Sequence, residues 1–248
     1  MPDAHSGYGL PIGGVLATDN AVIPYGVGVD IGCRMSLSVF DVPASFMKGK
    51  EEQLKAILTD HTKFGMSETH KVKADHEVFS REEFQNIPVV KQLLDKAYKQ
   101  LGTSGGGNHF VEFGVVNLQE TLPEWKLEAG EYLAVLSHSG SRGFGANIAK
   151  HYTYLATKQC PLPKNVQHLA WLDLNTHDGQ EYWLAMNLAG DYAKACHEDI
   201  HRRIAKVLGK RIALTIENHH NFAWKEQVNG KECIVHRKGA TPAAQGEL

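Results

Sequence analysis

No Cys-x-x-Cys spacing occurs in this sequence; its four cysteines stand apart at positions 33, 160, 196 and 233. A chain of 248 residues buries enough surface to fold without disulfides, so the thiols read as free and the compartment as reducing. Apolar runs of about 18 residues, the length a membrane helix needs, are missing. The first thirty residues are apolar, but they carry Asp3, Asp19 and Asp30 and are broken by glycine and proline, which excludes a signal peptide. The expectation is a cytoplasmic protein without membrane association. An excess of one charge sign is also missing: 26 Lys+Arg against 28 Asp+Glu give a net charge of -2. That excludes a general nucleic-acid coat and leaves any RNA contact to a local patch. No low-complexity linker divides the chain, so one domain is expected.

What the sequence does have is histidine, fourteen in all, and glycine beside some of them. Five residues of metal-ligand type sit in four short motifs: Asp30 and Cys33 in Gly-Val-Asp-Ile-Gly-Cys, His109 in Gly-Gly-Gly-Asn-His-Phe, His138 in Ser-His-Ser-Gly-Ser-Arg-Gly, and His220 in Asn-His-His-Asn. A lone cysteine is usually a small buried hydrophobe, and a lone histidine near an apolar strand usually an interior residue. The joint pattern outweighs those readings, because four unrelated segments each set a ligand among small residues that admit close approach. Thiolate and imidazole favour zinc on softness alone, whereas manganese and magnesium favour oxygen. The neighbours suggest phosphate: Gly105, Gly106 and Gly107 can expose backbone N–H groups, Ser139, Ser141 and Arg142 can hold phosphate oxygens, and a helix after Gly143 would add its positive end.

Periodicity places these motifs at the ends of elements. Met35 to Val42 alternates as a half-buried strand, and Lys50 to His61 has apolar Leu54, Ile57 and Leu58 at helical spacing. Ser80-x-x-Glu83 has the spacing of a capping box, followed by a helical stripe of Val90, Leu93, Leu94 and Ala97. Tyr132 to Ser137 reads as a strand leading to a helix from Gly145 to about Thr157. Asp178 to Leu208 reads as one long amphipathic helix with Leu188, Tyr192, Cys196, Ile200, Ile204 and Val207 facing the core. Arg211 to Glu217 alternates again, and Asn229-Gly230 marks a tight hairpin. Cys33 then precedes a strand, while His138 and His220 lie at strand ends.

Taken in order, Met1-Pro-Asp-Ala-His-Ser-Gly-Tyr-Gly-Leu-Pro-Ile-Gly-Gly14, Gly28-Val-Asp30-Ile-Gly-Cys33, Gly107-Asn108-His109-Phe110, His138-Ser-Gly-Ser-Arg142-Gly, His219-His220-Asn221 and Arg237-Lys238-Gly239-Ala240 resemble the RtcB family of RNA-splicing ligases over nearly the whole chain. The resemblance implies a complex α+β fold of mixed sheets with flanking helices. It implies a GTP- and manganese-dependent ligase that joins RNA 3′-phosphate or 2′,3′-cyclic phosphate ends to 5′-hydroxyl ends, through a guanylylated histidine and an RNA-ppG intermediate. Two Mn2+ ions would be held by Cys33 as shared thiolate, His138 and His220 on one side, and Asp30 and His109 on the other. Asn108, His109, Phe110, Glu112, His220 and Asn221 would line the GTP site, with Ser139, Ser141, Arg142, Arg237 and Lys238 as phosphate or RNA contacts. RNA and GTP are the implied partners of a monomeric chain, and the residues do not decide whether an activating protein is needed.

One departure stands out. The family's nucleophilic histidine lies in a late His-Gly-Ala-Gly-Arg motif, which these 248 residues do not contain. The expectation is that no catalytic nucleophile lies within the chain and that the histidine belongs beyond Leu248. The chain also begins at a motif that relatives place after an N-terminal segment. One RtcB-like domain over 1–248 is therefore expected, incomplete at the C-terminus and at the N-terminus, that does not complete ligation alone. The alternatives are a metal-dependent cyclic phosphoesterase and a non-catalytic nucleotide- or RNA-binding remnant.

Overall fold

The computed structural model describes residues 4–243. The Met1-Pro-Asp start of the first motif lies outside the described residues, and so does Leu248, beyond which the nucleophilic histidine is expected. Among the described residues, eleven strands and six α-helices follow in the order β1 (Gly14–Thr18), β2 (Ala21–Val22), α1 (Pro24–Val27), β3 (Arg34–Pro43), α2 (Glu51–His61), β4 (Lys63–Phe64), α3 (Glu83–Asn86), α4 (Pro88–Gln100), β5 (Thr103–Gly105), β6 (Phe110–Leu118), β7 (Gly130–Ser139), α5 (Arg142–Gln159), β8 (Leu172–Asp173), α6 (His177–Leu208), β9 (Ile212–His219), β10 (Asn221–Val228) and β11 (Lys231–Lys238). The α+β expectation holds. The larger sheets, β6-β7-β3-β9 and β1-β11-β10, are antiparallel throughout; among the described residues parallel pairing occurs in β4 with β5.

The four-stranded sheet buries both faces. Phe40, Val111, Leu133 and Val135 pack under α2 and α6 through Leu54, Ile57, Ile200 and Ile204, while Val39, Leu127 and Leu214 close the opposite face. A larger helical core joins α4, α5 and α6 around Phe144, Ile148, Tyr152, Tyr182 and Tyr192. Alternation along β3 and β7 assigns the faces, since successive side chains of a strand point to opposite sides.

Most helices follow their sequence signals. Pro88 occupies the first turn of α4, where its missing N–H costs nothing. Thr176 caps α6 by accepting the Gly179 N–H, and Gly209 ends it in the left-handed conformation. Asn229 and Gly230 both take positive φ, the signature of the tight hairpin between β10 and β11. Three expectations need correction. Ser80 does not cap a helix: its hydroxyl closes a short turn onto the Glu77 carbonyl, and Glu83 pairs with Arg81. Val207 is 44% exposed, so the core stripe of α6 ends at Ile204. Helix α5 begins at Arg142, three residues before Gly145, because the Ser141 N–H reaches Asp30 Oδ1 at 3.1 Å and the Gly143 N–H reaches Gln100 Oε1 at 3.1 Å. Tertiary acceptors start that helix, and periodicity cannot register them.

Candidate metal centre

Antiparallel pairing brings the ligand-type residues to one end of the four-stranded sheet. Cys33 stands before the start of β3, His138 near the end of β7, His109 before the start of β6 and His220 after the end of β9. A strand start lies beside its antiparallel neighbour's finish, so residues distant in the chain converge. Two backbone bonds lock the loop holding Cys33: the His220 N–H donates to the Cys33 carbonyl at 2.9 Å and the Gly32 N–H to the Asn221 carbonyl at 2.8 Å.

The side chains form two groups that share Cys33. Cys33, His138 and His220 make one, and Asp30, Cys33 and His109 the other; each could hold a metal ion. Cys33 Sγ is 3.2 Å from His138 Nε2 and 3.7 Å from His109 Nε2, His138 Nε2 is 3.2 Å from His220 Nε2, and His109 Nε2 is 2.9 Å from Asp30 Oδ2. The outer nitrogens assign the tautomers. His109 Nδ1 donates to the Ser104 carbonyl and His138 Nδ1 to the Asn108 carbonyl, both at 3.0 Å, which turns both Nε2 atoms inward. Lone pairs of sulfur, imidazole and carboxylate thus face one another at contact distance, an arrangement that needs protons or cations between them. The donor set fits divalent ions.

Electrostatics agree. Burial, then the Asp30 carboxylate, pushes the Cys33 thiol well above its ordinary range. Burial alone would raise Asp30 too, but the His109 hydrogen bond and charge outweigh it and the carboxyl titrates lower than usual. Burial lowers His138, and burial followed by the neighbouring His138 lowers His220 to about 4. Both imidazoles are therefore neutral and free to ligate at neutral pH.

Two glycines are required by space. A Cβ on Gly140 would stand 2.2 Å from Asp30 Oδ1, and one on Gly105 would stand 2.1 Å from an Arg142 guanidinium nitrogen at a φ of +110°.

Of the proposed nucleotide contacts, Phe110 pairs with His138 across β6 and β7, its ring centroid 5.8 Å from the imidazole. Glu112 is exposed two residues further on the same face, Asn108 is exposed beside the glycine loop, and Asn221 ties the Asp30 carbonyl to the Gly239 N–H. The residues expected to contact phosphate or RNA already have protein neighbours. Ser139 and Ser141 are fully buried, and Ser139 donates to the Ser104 carbonyl. Arg142, also buried, donates to Thr103 Oγ1 and the Gly65 carbonyl, both at 3.0 Å. Arg237 forks onto Glu226 over the Trp224 ring, and Lys238 donates to the Tyr8 carbonyl at 2.7 Å. The positive end of α5 meets Asp30. As folded, Ser139 and Arg142 hold the Thr103–Ser104 backbone beside the centre.

The sequence reading missed Ser104 and the role of the Asn108 carbonyl, which orient the imidazoles, and His197 and His201 of α6, both buried behind the centre. The two histidines are one helical turn apart beside Cys196 and Ile200, a spacing that marks one face of α6 and could have found them.

Fold and site together define an α+β protein with a cluster of cysteine, imidazole and carboxylate side chains that could hold metal ions. The sequence model of the family described as "tRNA-splicing ligase RtcB" matches residues 1–248, and the chain belongs to that family. It is 31% identical to "RNA-splicing ligase RtcB homolog 1" of Entamoeba dispar, 30% identical to "tRNA-splicing ligase RtcB" of Thermococcus kodakarensis and 31% identical to "RNA-splicing ligase RtcB" of Escherichia coli K12. The alignments cover 98%, 98% and 100% of this chain but 55%, 61% and 64% of those proteins. The chain therefore spans less than two thirds of the length of these relatives. Among the described residues no helix is long and apolar enough to cross a membrane.

Proposed function

We propose that this chain carries the metal and nucleotide centre of a GTP- and manganese-dependent RNA ligase acting on RNA 3′-phosphate or 2′,3′-cyclic phosphate ends and 5′-hydroxyl ends, as a cytoplasmic monomer. The observation that supports this best is the convergence of Asp30, Cys33, His109, His138 and His220, with Cys33 common to two groups. His138 and His220 with Cys33 would hold one Mn2+, and Asp30 and His109 with Cys33 the other. When bound, such ions supply positive charge to a phosphoryl group in transfer. The chain's own residues do the rest. Ser141 N–H fixes the Asp30 carboxylate, the Ser104 and Asn108 carbonyls fix the two imidazoles, and buried Cys33 gives up its proton on ligation. Oxygen donors from phosphate and water would complete each sphere, which reconciles manganese with a soft protein donor set. Asn108, Phe110, Glu112 and Asn221 would receive the guanine nucleotide on the same face.

The groups proposed here bind metal and GTP; the His-Gly-Ala-Gly-Arg motif that would supply the attacking imidazole is not among residues 1–248. A second reading uses the same cluster of Asp30, Cys33, His109, His138 and His220 without a guanylyl carrier: cyclic phosphoesterase activity in which water attacks the phosphate. GTP radiolabelled at the α-phosphate and incubated with Mn2+ tests the proposal. Retention on a native filter that depends on Mn2+ is the expected result, and no retention overturns it. Hydrolysis of a 2′,3′-cyclic phosphate end, lost in Cys33→Ala, would establish the second reading.

A further inference from the structure

Behind the centre runs a chain of side-chain hydrogen bonds whose direction is fixed throughout. The Ser139 carbonyl can only accept, so His197 Nε2, 3.2 Å away, donates to it. Neutral His197 then accepts at Nδ1 from the Ser137 hydroxyl at 2.6 Å. With its proton spent, Ser137 Oγ accepts from His201 Nε2 at 2.7 Å. His201 Nδ1 in turn accepts from Ser38 Oγ at 2.7 Å, which accepts from Thr215 Oγ1 at 3.0 Å. The last link is exposed, lining a cavity of about 430 Å³ with Ser36, Lys194 and Glu217. Every other member is buried.

The two points where this chain grips β7 are Ser137 and Ser139, the residues on either side of His138. Strand alternation sends 137 and 139 to the α6 face and His138 to the opposite face, toward Cys33 and His220. An apolar helix face would pack against β7 equally well. Buried histidines and serines with every donor matched to an acceptor instead define one position of the strand, because any slip breaks these matched bonds and leaves buried polar groups unpaired.

We propose that His197 and His201 are positioning residues of the metal centre, holding the end of β7 so that His138 Nε2 stays aimed at Cys33 and His220. The proposal rests on the metal reading above. Its reach is unequal: His138 belongs to the Cys33–His138–His220 group and is flanked directly by the gripped serines, whereas Asp30 is set by Ser141 and His109 by the Ser104 carbonyl, which the Ser139 hydroxyl also holds.

Cobalt(II) titration followed by visible absorption, which reports thiolate and imidazole ligation, is the test, with the two binding steps assigned by their loss in Asp30→Ala and His220→Ala. In His201→Leu and Ser137→Ala, the step that needs His220 weakens by roughly 10–100-fold, the size of effect that outer-shell partners of ligating histidines exert. The step that needs Asp30 stays within about twofold of the unsubstituted protein. His201→Gln, whose amide still donates to Ser137 Oγ, recovers most of the loss. Ser137→Ala removes a single oxygen and serves if His201→Leu does not fold. Unchanged titration of Ser137→Ala, or equal weakening of both steps without rescue by His201→Gln, overturns the positioning role. Failure of the unsubstituted protein to bind cobalt(II) overturns the metal reading, and this inference with it.

Discussion

The Nε2 atoms of His138 and His220 stand 3.2 Å apart, and Cys33 Sγ stands 3.2 Å from the first of them. Three lone-pair donors converge within contact distance, and both imidazoles are kept neutral by burial at physiological pH. Folding has already met the cost of desolvating these groups, so the cluster proposed to bind metal is formed before any cation arrives.

Stoichiometry should follow from the shared thiolate. Cys33→Ala removes a ligand from both groups and is expected to abolish measurable uptake of both ions, whereas Asp30→Ala removes a ligand from one group and leaves a single ion bound. Isothermal titration with Mn2+ counts the sites. Two ions retained in Cys33→Ala would contradict a bridging cysteine.

Metal uptake should also release a proton. Burial, then Asp30, keeps the Cys33 thiol protonated well above its ordinary range, so ligation must displace that proton. Affinity is expected to rise by about tenfold per pH unit between pH 6 and 8 for each proton released. Titration heats in buffers of different ionisation enthalpy measure the number released. A pH-independent affinity would mean that the thiolate does not ligate.

Acid should destabilise the fold through histidines remote from that thiol. Burial lowers His236 and His201 to about 4 and His197 to about 3, against about 6.5 in an unfolded chain. The unfolded state then binds more protons between those values, so stability rises with pH across the interval. The contribution is fully present above about pH 6.5 and is lost as pH falls through 4, at ~1.4 kcal/mol per pH unit per group. Urea midpoints at pH 7, 6 and 5 should fall steeply. His236→Gln, whose carbonyl oxygen can take the Ile23 N–H that His236 Nε2 accepts at 2.9 Å, should flatten that slope.

How much of this was legible in the sequence depends on where each signal is stored. The strand of Met35 to Val42, the helix of Lys50 to His61 and the long helix ending at Gly209 carry their periodicity locally, and their bounds shift by one or two residues in the structure. Strand β6 is hidden by Gly114 in its middle and by the glycine loop before it, and β10 by charged residues among its apolar ones; pairing along β7 and β11 decides both. The convergence of the five ligand-type residues was legible because their motifs are short and chemically distinct. The carbonyls of Ser104 and Asn108 were not, since a backbone oxygen has no letter in the sequence. Arg142 lies between these cases: beside Ser141 and Gly143 it reads as a phosphate contact, and the structure adds the Thr103 and Gly65 partners that hold its guanidinium.

Gly140 offers the sharpest mutational test because nothing about it is chemical. A Cβ there meets both carboxylate oxygens of Asp30, at 2.2 and 2.3 Å. Asp30 cannot retreat freely: Oδ1 accepts the Ser141 N–H and Oδ2 faces His109 at 2.9 Å. Gly140→Ala must therefore either push the carboxylate off both partners or shift the turn between β7 and α5. Overpacking of this kind costs about 1–3 kcal/mol, which lowers Tm by roughly 2–12 °C in a domain of this size. The displaced carboxylate should also weaken the ion that Asp30 and His109 hold and spare the one held by His138 and His220. Differential scanning calorimetry and Mn2+ titration on the same variant read the two effects separately. A variant with unchanged Tm and both ions bound at full affinity would show that the turn adapts, and that Asp30 is not fixed by the Gly140 backbone.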